Sequence, residues 1–257
     1  MESSVTTTER GYQPNFYIMS ERVRDLARRR RKAEKIKWII ESYARHLPSE
    51  GTCLDVGCSA GAMTVVVAPL FGHTIGLEYD EAALAAVEPD YRTQMDFMRG
   101  DAMSLPFPDN SVDAVICAQV YEHVPNDAQL FQEIYRVLVP GGFVFFSGPN
   151  WLFPIEPHYF LPFLHWLSPK WAARYLRLMR MGTSYYERSR TLWGLRHVTA
   201  AFEVDDISRA VLQHHVLADR PWLGRLVERL PESIWRLLLP WLPNFNWLLY
   251  KPLDTHK

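Results

Sequence analysis

The chain has 257 residues, 28 of them Lys or Arg and 29 Asp or Glu, giving a formal charge of -1. Hydrophobic residues make up 48% and charged ones 22%, a globular composition that excludes disorder and fibrous repeats. Pro, His or Arg interrupts every apolar run that could span a bilayer, Met1-Glu2-Ser3-Ser4 lacks the build of a signal peptide, and Cys53, Cys58 and Cys117 form no metal-ligand spacing. These features read as a reduced, cytoplasmic protein with no resident metal.

Residues 21–37 hold nine basic side chains against Glu21, Asp25 and Glu34, and apolar positions from Val23 to Leu47 recur at three- and four-residue steps. The pattern predicts one long amphipathic helix, capped by Ser20 and stopped by Pro48, with a solvated basic face. From residue 50 the period changes. Short β-rich runs at 52–57, 74–78, 96–99, 112–118 and 143–147 alternate with helical stretches near 61–71, 80–88 and 127–138. Such alternation indicates βαβ units and a parallel sheet covered on both faces. Asn126 caps the third of these helices and Pro140-Gly141-Gly142 breaks it.

After Pro149 the composition shifts: eight of the nine Trp and ten of the 18 Pro lie in 149–257, and no Asp or Glu occurs between Pro157 and Tyr186. Residues 151–194 read as a helical lid inserted over the sheet. A helix near 204–212, a strand near 215–219 and a last strand near 245–251 complete the sheet in 195–257, with a second helical insertion near 221–240. The division expected is therefore an N-terminal helical segment, 1–47, and one domain, 48–257, whose cofactor half is 48–150.

The residues that carry chemistry sit at the ends of the strands. Leu54-Asp55-Val56-Gly57-Cys58-Ser59-Ala60-Gly61 lies where the first strand turns into a helix. Glycines there let the backbone approach a ligand, and Asp55 could take a cationic amine or a hydroxyl. Glu78 closes the second strand, where an acid binds a ribose diol in Rossmann-type crevices, and Asp101 follows the third, where a carboxylate could accept from an adenine amine.

Taken with Gly76-Leu77-Glu78-Tyr79-Asp80, with the run Gly100-Asp101-Ala102 to Asp113, and with Glu122-His123-Val124 ahead of Glu133 to Gly142, this turn resembles the class I S-adenosylmethionine-dependent methyltransferases, in the group that includes ubiquinone and menaquinone C-methyltransferases. The resemblance spans roughly 50–150. It implies a Rossmann-like α/β fold with a seven-stranded, mostly parallel sheet, helices on both faces and helical insertions. It also implies S-adenosylmethionine as cofactor, held by Asp55, Gly57 and Gly61 at the amino-acid end, Glu78 at the ribose, and Asp101 with Ala102 at the adenine, with Tyr79 a further cofactor-binding residue. Gln119 would lie near the methionine portion. Ser59 stands where many members have glycine, and a hydroxyl contact is expected from it.

Methyl transfer to a hydroxyl also needs a base, for which His123 and His158 are the candidates; the alternative for each is a hydrogen-bonded structural histidine. Tyr12, Tyr17 and Tyr159 could line a lid around the sulfonium, since aromatic faces attract cations, or simply pack. Gly57-Cys58-Ser59-Ala60-Gly61 also fits a hydrolase nucleophile elbow, but no oxyanion loop accompanies it. In the lid, Ser168-Pro169 starts a helix with Lys170, Arg174 and Arg177 on one stripe and Trp171, Tyr175 and Leu178 on another. It reads either as an interfacial membrane helix or as a lid helix with a solvated basic face. The partner expected is a small-molecule acceptor, hydrophobic or lipid-linked, methylated at oxygen or carbon, with no nucleic acid. A scaffold that keeps the fold without turnover is the alternative.

Overall fold

The computed structural model describes residues 16–19, 24–214 and 230–253. In chain order these form α1 (Phe16–Met19), α2 (Leu26–Tyr43), β1 (Thr52–Val56), α3 (Thr64–Val67), β2 (His73–Glu78), α4 (Glu81–Ala85), α5 (Pro89–Arg92), β3 (Asp96–Arg99), β4 (Val112–Ala118), α6 (Asp127–Val137) and β5 (Leu138–Pro149). Then follow α7 (Pro169–Leu178), α8 (Leu192–Val198), β6 (Glu203–Asp206), α9 (Ser208–Gln213), α10 (Glu232–Leu238) and β7 (Asn244–Tyr250).

The seven strands form one sheet in the order β3-β2-β1-β4-β5-β7-β6. The first five run parallel, and β7 is antiparallel to both β5 and β6. This is the seven-stranded, mostly parallel, Rossmann-like sheet expected. Because side chains alternate along a strand, each central strand feeds two cores. Val115, Cys117, Val144 and Phe146 pack with Leu130, Phe131 and Trp247 on one face. Ala114, Ile116, Phe143 and Phe145 pack with Ile36, Ile39, Ile40 and Leu248 on the other. The chain order reverses direction at β1, so the tips of β1, β2 and β4 meet in the crevice where open α/β sheets bind ligands.

Several boundaries differ from the sequence reading. The described part of the N-terminal helix is capped by Asp25, whose carboxylate accepts from Arg28 N at 3.0 Å, a contact worth about 1 kcal/mol. It ends at Tyr43, before Pro48; Ser20 and Tyr12 lie outside the described residues. The helix expected over 61–71 is only α3 followed by a 3-10 turn at Ala68–Leu70. Pro140-Gly141-Gly142 does not separate α6 from a later strand: β5 begins at Leu138, and a register shift between Val112 and Ala114 absorbs the extra residues.

The largest correction concerns 204–212. Its first residues are strand β6, which pairs with β7, and Arg45 at the end of α2 binds Glu203 and Asp205 across the sheet edge. Only α9 is helical there. The strand expected near 215–219 and the first part of the insertion near 221–240 lie outside the described residues; α10 and a 3-10 turn at Leu239–Trp241 occupy the rest of that insertion. Ser168 does stand before α7, with Pro169 in its first turn, though its side chain makes no cap bond.

Candidate active site

Asp55 lies at the tip of β1 with 3% of its surface exposed, and Thr64 Oγ1 of α3 donates to it. Burial pushes its carboxyl up to about 7, against the pull of the Thr64 hydrogen bond and the Arg29 charge. The chain then turns through Gly57 and Gly61, whose φ values of 73° and 77° favour glycine. A Cβ at Gly57 would stand 2.8 Å from Val120, and one at Gly61 2.5 Å from the Phe97 ring. Between them Ser59 also has a positive φ, 55°, so the turn carries its departure from glycine as backbone strain.

Glu78, at the tip of β2, reaches back to this turn. Its carboxylate accepts from Ser59 N at 2.8 Å, Tyr79 N at 2.7 Å and Asp80 N at 2.9 Å. It therefore ties two strand tips together while keeping a lone-pair direction for a hydroxyl. Tyr79 beside it is 45% exposed. Past β3, Asp101 accepts from Met103 N at 2.7 Å, and Ala102 is buried. Past β4, Gln119 adopts φ 62° and is anchored to β5 through its N–H to Ser147 O at 2.7 Å. The expected cofactor residues thus gather along one edge. Ser59 Oγ is buried with no hydrogen-bond partner among the described residues, which leaves it without the histidine a nucleophile elbow requires.

Sequence reasoning missed Arg29. It is one of four consecutive arginines, and it is buried, with Nη2 donating to Cys58 O at 3.4 Å. Burial pulls its guanidinium below its ordinary value, and the Asp55 and Glu78 charges oppose that. One turn further, Lys32 acts on Glu122. The basic helix is therefore not only a solvated face. It delivers cations to the strand tips. Tyr17 N donates to Asp80 Oδ2 at 3.0 Å, so α1 lies over the same turn.

The two candidate bases converge. The His123 and His158 rings are 5.0 Å apart, and each Nε2 stands 3.9 Å from Oε1 of Glu122, whose side chain is fully buried in the turn that follows β4. His158 Nδ1 meets Glu156 Oε1 at 2.7 Å, and the other Glu156 oxygen accepts from the backbone N–H groups of His158 and Tyr159. Burial works to lower the His158 pKa, but the Glu156 bond and the Glu156, Glu187 and Glu122 charges raise it above its ordinary value. Glu122 itself is pushed up to about 7 by burial. Tyr159 packs on the adjoining cluster of Leu161, Leu164, Ala172 and Leu176. The donor atoms of Glu122, His123 and His158 lie within 4.8 Å of one another, a set a divalent cation could share that sequence spacing did not reveal.

Sheet order and strand-tip site together define a Rossmann-like fold of the methyltransferase type. The methyltransferase domain family matches residues 54–146. A protein described as a "Probable S-adenosylmethionine-dependent methyltransferase" in Mycolicibacterium smegmatis is 42% identical over 97 residues, 38% of this chain and 37% of that protein. The demethylmenaquinone methyltransferase of Bacillus licheniformis is 30% identical over 166 residues, 62% of this chain and 71% of that enzyme. A solved S-adenosylmethionine-dependent methyltransferase from Mesorhizobium loti shares the fold at a TM-score of 0.57 and 17% identity, covering 84% of this chain and 97% of its own. This chain belongs to the S-adenosylmethionine-dependent methyltransferases, and its cofactor is S-adenosylmethionine.

Proposed function

We propose that this protein transfers the methyl group of S-adenosylmethionine to an oxygen or carbon of a hydrophobic, lipid-linked acceptor at the cytoplasmic face of a membrane. What supports it is that Asp55 and Glu78 lie at the ends of β1 and β2, Gln119 directly follows β4, and the His123–His158 pair is built on the segment just past β4. Bound there, the cofactor supplies an electrophilic methyl on a sulfonium, whose loss leaves a neutral thioether.

The residues divide the work. Asp55 receives the ammonium of the methionine end, Arg29 its carboxylate, and the orphaned Ser59 hydroxyl a further polar group. Glu78 takes a ribose hydroxyl; Asp101 and Ala102 take the adenine. Tyr17 and Tyr159 close the two sides. His158 Nε2 accepts the acceptor's proton, with Glu156 fixing the tautomer through Nδ1. Residues 48–150 form the cofactor half of the domain and 151–194 its lid. A hydrophobic acceptor fits the lid, where Trp151, Phe163 and Trp166 are clustered and partly exposed.

The test is transfer of labelled methyl from S-adenosylmethionine to a total cell extract, partitioned between organic and aqueous phases. Label in an organic-phase product is expected; label only in the aqueous phase would overturn the acceptor class, and no transfer would favour a scaffold. The Glu122, His123 and His158 donor set supports one second reading, a divalent cation that polarises the acceptor oxygen. With His158 as base, EDTA leaves turnover unchanged; loss of turnover restored by a divalent cation would put the metal in its place.

A further inference from the structure

The lid insertion exposes a face of α7 whose chemistry the transfer reaction does not use. In α7, Ala172 and Leu176 are buried against Leu161 and Leu164. The opposite face carries Lys170, Trp171, Arg174, Arg177 and Leu178, all exposed, with Trp171 at 60% and Leu178 at 78%. The Arg174 guanidinium sits 5.6 Å from the Trp171 ring centre, so the basic and apolar groups form one mixed face rather than two separate stripes. Just upstream, the Phe163 and Trp166 rings are 4.9 Å apart and both are well exposed.

We propose that this face of α7, with the Phe163–Trp166 ledge, docks the protein on an anionic lipid bilayer. The inference rests on the acceptor class proposed above and names the surface that serves it. Outward Trp and Leu beside Lys and Arg are what an interfacial helix needs: the rings and aliphatic side chains enter the headgroup boundary while the cations meet phosphates. Charge decides the occupant. With no Asp or Glu between Pro157 and Tyr186, a second copy seated here would set one basic face against another, whereas an anionic bilayer meets both kinds of group. At ten residues α7 is about 15 Å long, enough to lie on a membrane and too short to cross one. Among the described residues no helix is long and apolar enough to span.

The surface is mechanically close to the chemistry. Ile155 bridges to Pro162 and Glu156 N donates to Leu161 O at 3.0 Å, so the loop that holds Glu156 and His158 is closed against the segment that leads into Phe163. Docking through that segment would present the histidine pocket to a molecule leaving the bilayer.

Flotation of the full chain with vesicles of phosphatidylcholine alone, or of phosphatidylcholine mixed with phosphatidylglycerol, tests this. Binding to the mixed vesicles only, weakened by salt, is expected. Replacing Lys170, Arg174 and Arg177 by Gln should cost about fivefold in partitioning for each charge removed. Trp171→Ser with Leu178→Ser should also release the protein, and both sets should leave the calorimetric affinity for S-adenosylhomocysteine unchanged, which controls for folding. No binding, equal binding to neutral vesicles, or binding unaffected by these substitutions would overturn the proposal. So would a self-associated form that the Trp171→Ser, Leu178→Ser variant dissolves, which would assign the face to a second copy. Vesicle binding without an organic-phase methylated product would sink the acceptor class and spare the surface; the reverse pair of results would do the opposite.

Discussion

His158→Ala is expected to lower kcat by about 10²–10⁴-fold, the usual contribution of a positioned base, while leaving S-adenosylhomocysteine binding intact. The ring is placed by a short bond from Nδ1 to Glu156, and its Nε2 looks toward Glu122 and His123. Only the neutral imidazole can accept a proton. Because the net effect of Glu156, Glu187 and Glu122 raises the His158 pKa above 6.5 despite burial, kcat should rise with pH through a midpoint above that value. Glu156→Gln keeps the shape of the acceptor side chain but removes the charge that favours the imidazolium. Its pH limb should therefore move to lower pH as kcat falls. A structural histidine would give a loss of stability with no such shift. If His158→Ala keeps full turnover, His123 becomes the base to test, since it shares the same carboxylate.

Asp55→Asn should weaken S-adenosylmethionine binding by about 1–3 kcal/mol, roughly a factor of 5 to 150, as expected when a buried charged partner is lost. The substitution keeps the volume and a partner for Thr64, so the effect isolates the charge. Burial holds the Asp55 carboxyl near 7 in the free protein, and a bound ammonium would favour its ionised form. Binding should then release a proton, and affinity should increase as pH rises toward about 7 and level off above it. In Asp55→Asn that slope should vanish. The sign for stability is the reverse. A carboxyl raised in the folded state stabilises the cofactor-free fold at low pH and loses that contribution as pH rises through about 7, so Asp55→Asn should raise the cofactor-free Tm at alkaline pH. Arg29→Met should weaken cofactor binding in the same assay if its guanidinium holds the carboxylate.

The turns and caps between β1 and α6 were readable because their signals are local. Glycines at 57 and 61, an acid closing each of two strands and a cap at Asn126 are each decided by the backbone a few residues away. Strand β6 was not, because Val204, Ile207 and Val211 recur at helical steps, and the pairing that makes 203–206 a strand comes from β7 and from Arg45, about 160 residues earlier. Arg29 was hidden among its neighbours, yet a signal was present: it precedes Ala33, Ile36 and Ile40 by four, seven and eleven residues, on the buried stripe of the helix. The sequence offers the two histidines as separate candidates, with nothing to bring them together. Glu156 and His158, two residues apart, could have been read as a pair, but the junction with Glu122 and His123 comes from folding the insertion back over β4, which no short-range pattern encodes.

Calorimetric titration of the wild-type chain with S-adenosylhomocysteine tests the central claim most directly. One molecule should bind per chain, more tightly above pH 7 than well below it, and Asp55→Asn should weaken that binding by roughly a factor of 5 to 150 and remove its pH dependence. Absence of binding heat at every pH, from a folded protein, would contradict the account.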